Sequence, residues 1–284
     1  MSDVQKWVEQ SAYASTLGVR AECISDQEAI LQLPFREGNS NPGGALHGGV
    51  YASLSIIGAH ATARTALGAE IGPFHTVGMQ INYLSAAINE GVTAHARLLK
   101  RGKELAFVEV TCKSDAGKDV AQASLMIRGR KGAEPLDGPI CQTAVAGDEP
   151  GAMGPAITEM VPFIHERGIV IEHMADGESR LLMPWIDAHG DADTGGTHEG
   201  AALALLDTAG AMAGWAKVGS GPHKASTPTM QAQVLATPPR QDLIAYARVA
   251  YQDNEILYSD VEVVGKDDQR IYARGCIPYR IVIS

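Results

Sequence analysis

Polar and apolar positions along the chain follow the same order twice. From about Leu17 to Phe35 they alternate in two short runs ending at Pro34, the pattern of two half-buried strands. A glycine-rich turn, Asn39–Gly49, opens an apolar run from about Gly48 to Leu67. That run is apolar on every helical face, so it predicts a buried helix. Gly68, Gly72 and Pro73 stop it. Four alternating segments follow, at about Thr76–Leu84, Val92–Lys100, Glu104–Ser114 and Asp119–Arg128. Turn residues such as Asn89-Glu90-Gly91 and Arg101-Gly102-Lys103 separate them, as in antiparallel strands. After a Gly- and Pro-rich stretch the set returns: a helix at about Glu199–Val218, then strands near Thr227–Leu235, Leu243–Tyr251, Glu255–Val264 and Arg270–Tyr279.

The repetition holds residue by residue. His47 falls on His198 (198 − 47 = 151), Gly49 on Gly200, Leu54 on Leu205 and Leu84 on Leu235. The segment starting at Val92 falls on the one starting at Leu243. Upstream, DQEAILQLPF from Asp26 matches DGESRLLMPW from Asp176 at a spacing of 150, so the register changes by one residue just before the second His. The expected organisation is a first domain over residues 1–132, a linker over 133–155 and a second domain over 156–284. One long apolar helix against an antiparallel sheet, twice, is an α+β arrangement.

Composition narrows the possible partners. A formal charge of −10 over 284 residues argues against nucleic acid and anionic membranes, though a local cationic patch can still hold a small anion. Cys23, Cys112, Cys141 and Cys276 are scattered with no Cys-x-x-Cys, so they read as reduced, mostly buried side chains. The N-terminal residues lack a signal-peptide core, and the longest apolar runs carry His60 or Asp207. A cytoplasmic protein with no membrane partner is expected. No His constellation has metal spacing, so no metal is expected. The Gly-x-Ser-x-Gly elbow of serine hydrolases is absent. Asp207 stands out, alone among Ala, Leu and Gly in the second helix. A carboxylate there loses water and needs compensation. By itself it fits a structural hydrogen-bond network as well as a functional site.

The string NPGGALHGGVYASL from Asn41 resembles the Asn-x(5)-His-Gly-Gly signature of hotdog-fold thioesterases, above all the phenylacetate-degradation (PaaI-like) branch acting on acyl-CoA. MQINYLSAA from Met79 and KRGKELAFVEVTCKSDAGKDVAQA from Lys100 are similar to the same branch. The resemblance covers nearly all of the first half and continues, weaker, along the second. It implies two tandem hotdog domains, each a long central helix wrapped by antiparallel sheet, forming a pseudo-dimer. It also implies hydrolysis of aliphatic or aromatic acyl-CoA to free acid and CoA, with no cofactor beyond the CoA of the substrate. A homodimer of such double-hotdog chains is expected.

Thioester hydrolysis needs an activated water or nucleophile, a polarised carbonyl and a hold on CoA. The turn His47-Gly48-Gly49 opens a helix whose free N–H groups suit a developing oxyanion, and Asn41 adds a side-chain donor. His47 also fits a turn-bracing role. The resemblance places the acid eight positions after the first Gly of the motif. That is Asp207 in the second half (207 − 199 = 8) and Ile56 in the first (56 − 48 = 8). Eight helical residues span about 12 Å. Turn and acid of one copy are therefore too far apart, and must meet across the two-fold. The second half has Glu199 in place of the carbonyl-binding Gly, and Ala192 or Asp193 in place of Asn41. One composite site is then expected, Asn41, His47 and Gly48 with Asp207; the Glu199/Ile56 counterpart lacks both functions.

Thr227, matching Thr76 at a spacing of 151, is expected to orient water beside Asp207, though an ordinary strand threonine fits too. Thr208 should point to a different side of the helix. Gly49 and the basic residues Lys100, Arg101, Lys103, Arg128 and Arg130 are candidates for substrate binding, the latter for CoA phosphates or as solvated turns. Asp207 would act as general base or attack the carbonyl itself. His60 reads as a packed histidine. A non-catalytic acyl-CoA-binding or regulatory protein is the alternative; an enoyl-thioester hydratase would want a differently placed Asp/His pair.

Overall fold

A computed structural model describes residues 2–132 and 137–282. The first half runs α1 (Asp3–Gln10), α2 (Ala12–Leu17), β1 (Arg20–Ile24), β2 (Glu28–Leu33), α3 (Gly48–Leu67), β3 (Phe74–Tyr83), β4 (Val92–Arg101), β5 (Leu105–Ser114) and β6 (Asp119–Gly129). The second runs α4 (Gly154–Met160), α5 (Pro162–Glu166), β7 (Val170–Ala175), β8 (Glu178–Met183), α6 (Glu199–Val218), β9 (Lys224–Ser226), β10 (Thr229–Val234), β11 (Leu243–Gln252), β12 (Ile256–Gly265) and β13 (Ile271–Val282). The strands form one antiparallel sheet in the order β1-β2-β4-β5-β6-β3-β10-β13-β12-β11-β8-β7, with β9 beside β13. The seam between the halves is β3 against β10, Asn82 facing Thr229 and Met79 facing Ala232. A continuous sheet wraps two central helices, the tandem hotdog architecture that the resemblance implies.

Helices α3 and α6 each have 20 residues, nearly all buried. Sheet covers part of each helix and the partner helix covers another part, so polar faces would have nowhere to go. Each helix begins at a His whose Nδ1 accepts the N–H two residues on: Gly49 to His47 at 3.0 Å, Gly200 to His198 at 2.9 Å. The helices cross at these first turns. A Cβ on Gly49 would sit 2.6 Å from Ala204 Cβ and 2.8 Å from its Cα, so only glycine fits. Ser53 Oγ donates toward both Gly49 O (2.7 Å) and Gly200 O (3.0 Å), pinning the crossing.

Several elements were not legible in the residue pattern. α1 packs on α3, α2 sets Tyr13 against His198 at the start of α6, α5 sets Phe163 against His47 at the start of α3, and α4 packs on α5 and β7. The first strand starts at Arg20, not Leu17, because α2 runs to Leu17 and Gly18 leaves it at φ 89°. The expected linker is partly built in: Ile140 bridges Arg270, Arg180 donates to Val145 O at 2.9 Å, and α4 begins at Gly154. Residues 133–136 of that linker lie outside the described residues. Of the four cysteines, all free, only Cys112 is buried and Cys23 is exposed. No helix among the described residues is long and apolar enough to cross a membrane.

Candidate active site

Asp207 lies two turns into α6, and α6 crosses α3 so that this carboxylate faces the first turn of the other helix. A Cβ on Gly48 would lie 2.7 Å from Asp207 Oδ2, and Oδ2 stands 4.0 Å from His47 Nδ1. Turn and acid therefore come together from opposite halves, as helix geometry required. They line a cavity of about 450 Å³ with Asn41, Tyr83, Thr227 and Met212. All five candidate catalytic residues, Asn41, His47, Gly48, Asp207 and Thr227, border this one space.

Burial pushes the Asp207 carboxyl up to about 7, opposed by the nearby Thr227 hydroxyl and Gly49 amide. Neither closes a hydrogen bond of normal geometry; the Gly49 N–H is directed at His47 instead. Asp207 Oδ1 is buried with no hydrogen-bond partner among the described residues. Burial outweighs what those two neighbours return to this carboxylate. It titrates near neutrality, where proton transfer to and from water is effective.

His47 is held differently. Phe163 of α5 stacks flat on its ring at 3.9 Å, with the planes 6° apart, and the Arg167 guanidinium lies 3.8 Å over Phe163. Arg167 is buried, donating to Gly38 O at 2.7 Å and Asn39 Oδ1 at 2.9 Å. Desolvation first, and the Arg167 charge second, lower the His47 pKa to about 3. His47 is therefore neutral, its proton on Nε2 because Nδ1 accepts from Gly49. Its Nδ1, already accepting from Gly49, makes neither an ion pair nor a hydrogen bond with Asp207. Neither Phe163 nor Arg167 was singled out in the sequence. The repeat held the signal: Phe163 matches Tyr13 and Arg167 matches Leu17 at a spacing of 150, so a buried charge stands where the first copy has Leu.

Other expectations fare unevenly. Thr208 borders the cavity as well, while its hydroxyl bonds Ala204 O at 2.8 Å, because the cavity is wide enough to span adjacent helix positions. Thr227 precedes β10 and does not lie in it; Pro228, lacking an N–H, delays the strand. Gly49 serves the helix crossing and is not among the cavity residues. Lys100, Arg101, Lys103, Arg128 and Arg130 do not border the cavity either. Lys100 and Arg101 line a separate depression with Asp26 and Leu98, and Arg128 pairs with Glu104 at 3.3 Å. Among the described residues, the only Lys or Arg bordering the cavity is Arg280, in β13, paired with Glu255. A larger open groove of about 740 Å³ on the outer face of the sheet, along Gln80, Gln231 and Arg248, holds none of the candidates.

The counterpart place is filled. Glu199 Oε2 accepts the Thr76 N–H at 3.0 Å and lies 3.3 Å from His60 Nε2, which meets Thr76 Oγ1 at 3.0 Å. Burial alone would raise Glu199, but the His60 and Thr76 bonds outweigh it and hold the carboxyl below its ordinary value. Trp7 of α1 stacks on His60, and Arg64 lies 4.2 Å over Trp7 while pairing with Asp193. About 20 Å³ remains, room for roughly one water. The place of Asn41 is taken by Asp191, not Ala192 or Asp193. Asp191 N–H bonds Gly196 O as Asn41 N–H bonds Ala45 O, and the extra residue is absorbed inside the turn.

Known proteins share this fold and the motif-bearing segment. The profile of the thioesterase superfamily matches residues 43–121, which include His47, Gly48 and Tyr83. Mouse acyl-coenzyme A thioesterase 13 is 39% identical over 100 residues, 34% of this chain and 69% of that protein. A hot dog fold protein from Alicyclobacillus acidocaldarius has the same fold, with a TM-score of 0.68 at 15% identity, covering 96% of this chain and 98% of that one. The tesB protein of Mycobacterium avium subspecies paratuberculosis aligns with a TM-score of 0.67 at 10% identity, covering 95% and 98%. With a hotdog fold over nearly the full length, a thioesterase profile over the motif-bearing segment and a relative 39% identical over 69% of its own length, this chain belongs to the thioesterase superfamily.

Proposed function

We propose that the protein hydrolyses acyl-CoA thioesters to free acid and CoA at one composite site between its halves. The observation that carries this reading is the approach of Asp207 Oδ2 to the Gly48 turn inside a cavity. The N–H of Gly48, the first residue of α3, has no intrahelical carbonyl to reach and can receive the carbonyl oxygen. Ionised Asp207 takes a proton from water, and the hydroxide adds to the thioester carbon. The oxyanion rests on the Gly48 amide and, with Asn41, at the positive end of the helix. Collapse breaks the C–S bond, and the CoA thiolate takes up a proton. The same carboxylate could add to the carbonyl directly, giving an anhydride that water then opens. Arg280 at the cavity border is the cation placed to meet an anionic group of CoA.

Thiol release from CoA esters graded by chain length and aromaticity tests the reading. At least one ester should be cleaved, and Asp207→Asn should lower kcat by about 10²–10⁴-fold with substrate still bound. Only ionised Asp207 accepts a proton, so kcat/KM should climb with pH through about 7 and level off above. Undiminished turnover by the Asn variant refutes the assignment. Repeated turnover in H₂¹⁸O followed by mass analysis of the enzyme tests the anhydride route, since label enters the Asp207 carboxylate only when water opens an anhydride at that carboxyl carbon.

A further inference from the structure

Tyr83 ends β3 with its side chain on the cavity that Asp207 and Gly48 share. Its hydroxyl is buried and has no hydrogen-bond partner among the described residues. Leaving a buried polar group unpaired is costly, so such a group in a native fold calls for an explanation. The simplest internal partner would be Asp207, whose Oδ1 is unpaired in the same cavity. The two do not bond. Each is left available to something that enters the space between them. The ring position is informative as well: Tyr83 Cε1 would lie 3.5 Å from a Cβ on Gly48, and Cε1 neighbours the hydroxyl-bearing carbon. The phenol therefore stands by the turn whose amide faces the carbonyl oxygen. The backbone is fixed, since the Tyr83 N–H bonds Pro228 O at 2.9 Å, tying it to the segment carrying Thr227.

The repeat supplies an independent contrast. The counterpart of Tyr83 is Val234 (234 − 83 = 151), which is buried and carries no hydroxyl. Tyr51, which packs edge-on to Tyr83 at 6.3 Å, has its hydroxyl engaged by the Ala87 N–H at 3.2 Å. So the free hydroxyl borders the open cavity, and the equivalent position of the second copy has none.

Resting on the hydrolysis proposed above, we infer that Tyr83 is a further catalytic residue, its phenol donating a hydrogen bond to the thioester carbonyl oxygen beside the Gly48 amide. The hydroxyl keeps its proton throughout, since burial and the nearby Asp207 charge hold its pKa well above the ordinary value. It acts as a donor that strengthens as the carbonyl oxygen gains charge, so its effect falls on kcat.

The test is Tyr83→Phe, assayed beside wild type and Asp207→Asn on the same CoA esters. The expected result is a kcat lower by about 10²-fold, with KM within about threefold and Tm within a few degrees of wild type. Replacing Tyr83 by 3,5-difluorotyrosine, which restores a hydroxyl of greater acidity, should bring kcat back to within tenfold of wild type. A Tyr83→Phe kcat within tenfold of wild type, an effect on KM alone, or no rescue by the fluorinated residue overturns the inference. Should wild type cleave none of the esters, the hydrolysis reading fails and Tyr83 with it. Should wild type cleave them and Asp207→Asn lose turnover while Tyr83→Phe does not, the role of Tyr83 alone fails.

Discussion

Gly48 and Glu199 open equivalent helices, and each faces the equivalent position of the other helix, Asp207 for one and Ile56 for the other. Around Gly48 the chain has left space; around Glu199 it has filled it. Ala211 and Ala225 border the open cavity where the filled place has His60 and Phe74, each pair 151 apart. Trp7 closes the filled place from α1, while its counterpart in α4 is Ile157 (157 − 7 = 150). The electrostatics follow the space. Glu199 finds His60 and the Thr76 amide and stays ionised below its ordinary value. Asp207 finds too few partners and rises to about 7. Two buried carboxylates, in frameworks repeated from one another, are thus driven in opposite directions. The lesson is that burial alone does not mark a functional acid; burial without a partner, facing a cavity, does.

The comparison can be broken most severely by making the open place resemble the filled one. Gly48→Glu puts a carboxylate where a Cβ already approaches Asp207 Oδ2, and removes room for the carbonyl. Thioester hydrolysis should fall by at least about 10³-fold. Activity within tenfold of wild type would show that the Gly48 turn does not receive substrate.

A smaller effect, with opposite signs at the two places, should appear in stability. The raised Asp207 carboxyl stabilises the fold below its unfolded pKa and loses that contribution as pH climbs through about 7. At pH 8 Asp207→Asn should therefore raise Tm, by up to about 4 kcal/mol of stability, and the gain should fade toward pH 4. The lowered Glu199 carboxyl works the other way, stabilising above its unfolded pKa and losing this as pH falls. Glu199→Gln should lower stability at pH 8 by about 1–3 kcal/mol, with hydrolysis unchanged and the difference shrinking in acid. Chemical denaturation at several pH values reads both, and equal signs at pH 8 would dissolve the contrast.

The smallest expected effect is none. Ile56→Asp with Glu199→Gly, placed in an Asp207→Asn background, restores the chemistry of the filled place but not its space. Turnover should stay at the Asp207→Asn level, because Trp7, His60 and Phe74 still occupy the volume. Recovered turnover would mean that volume is not what silences this place.

Much of this was legible in the residues. The long apolar helices, the strand sets and the 151-residue spacing follow from periodicity; the acid's place eight residues into the motif follows from the resemblance to hotdog thioesterases, and helix rise then assigns Gly48 and Asp207 to opposite copies. These are local or symmetry-related quantities, and the duplication reports them twice. The Asn41 counterpart was misplaced because an insertion inside a turn leaves no periodic trace. The basic residues Lys100 to Arg130 were grouped by sequence clustering, and clustering carries no information on which end of a sheet faces a cavity. The Phe163 and Arg167 clamp on His47 comes from a short helix of the opposite half.

By itself, the sequence determined that two like units share one chain, that each has a central buried helix, and that the polar equipment of the two is unequal. Those facts depend on spacing, which the chain carries along its own length. Only the tertiary structure decided which polar groups are satisfied, which cation borders the cavity, and which of the two equivalent places holds open space. Those depend on contacts between residues distant in the chain, such as Trp7 with His60 or Tyr83 with the Gly48 turn, where side-chain volume and desolvation act in three dimensions.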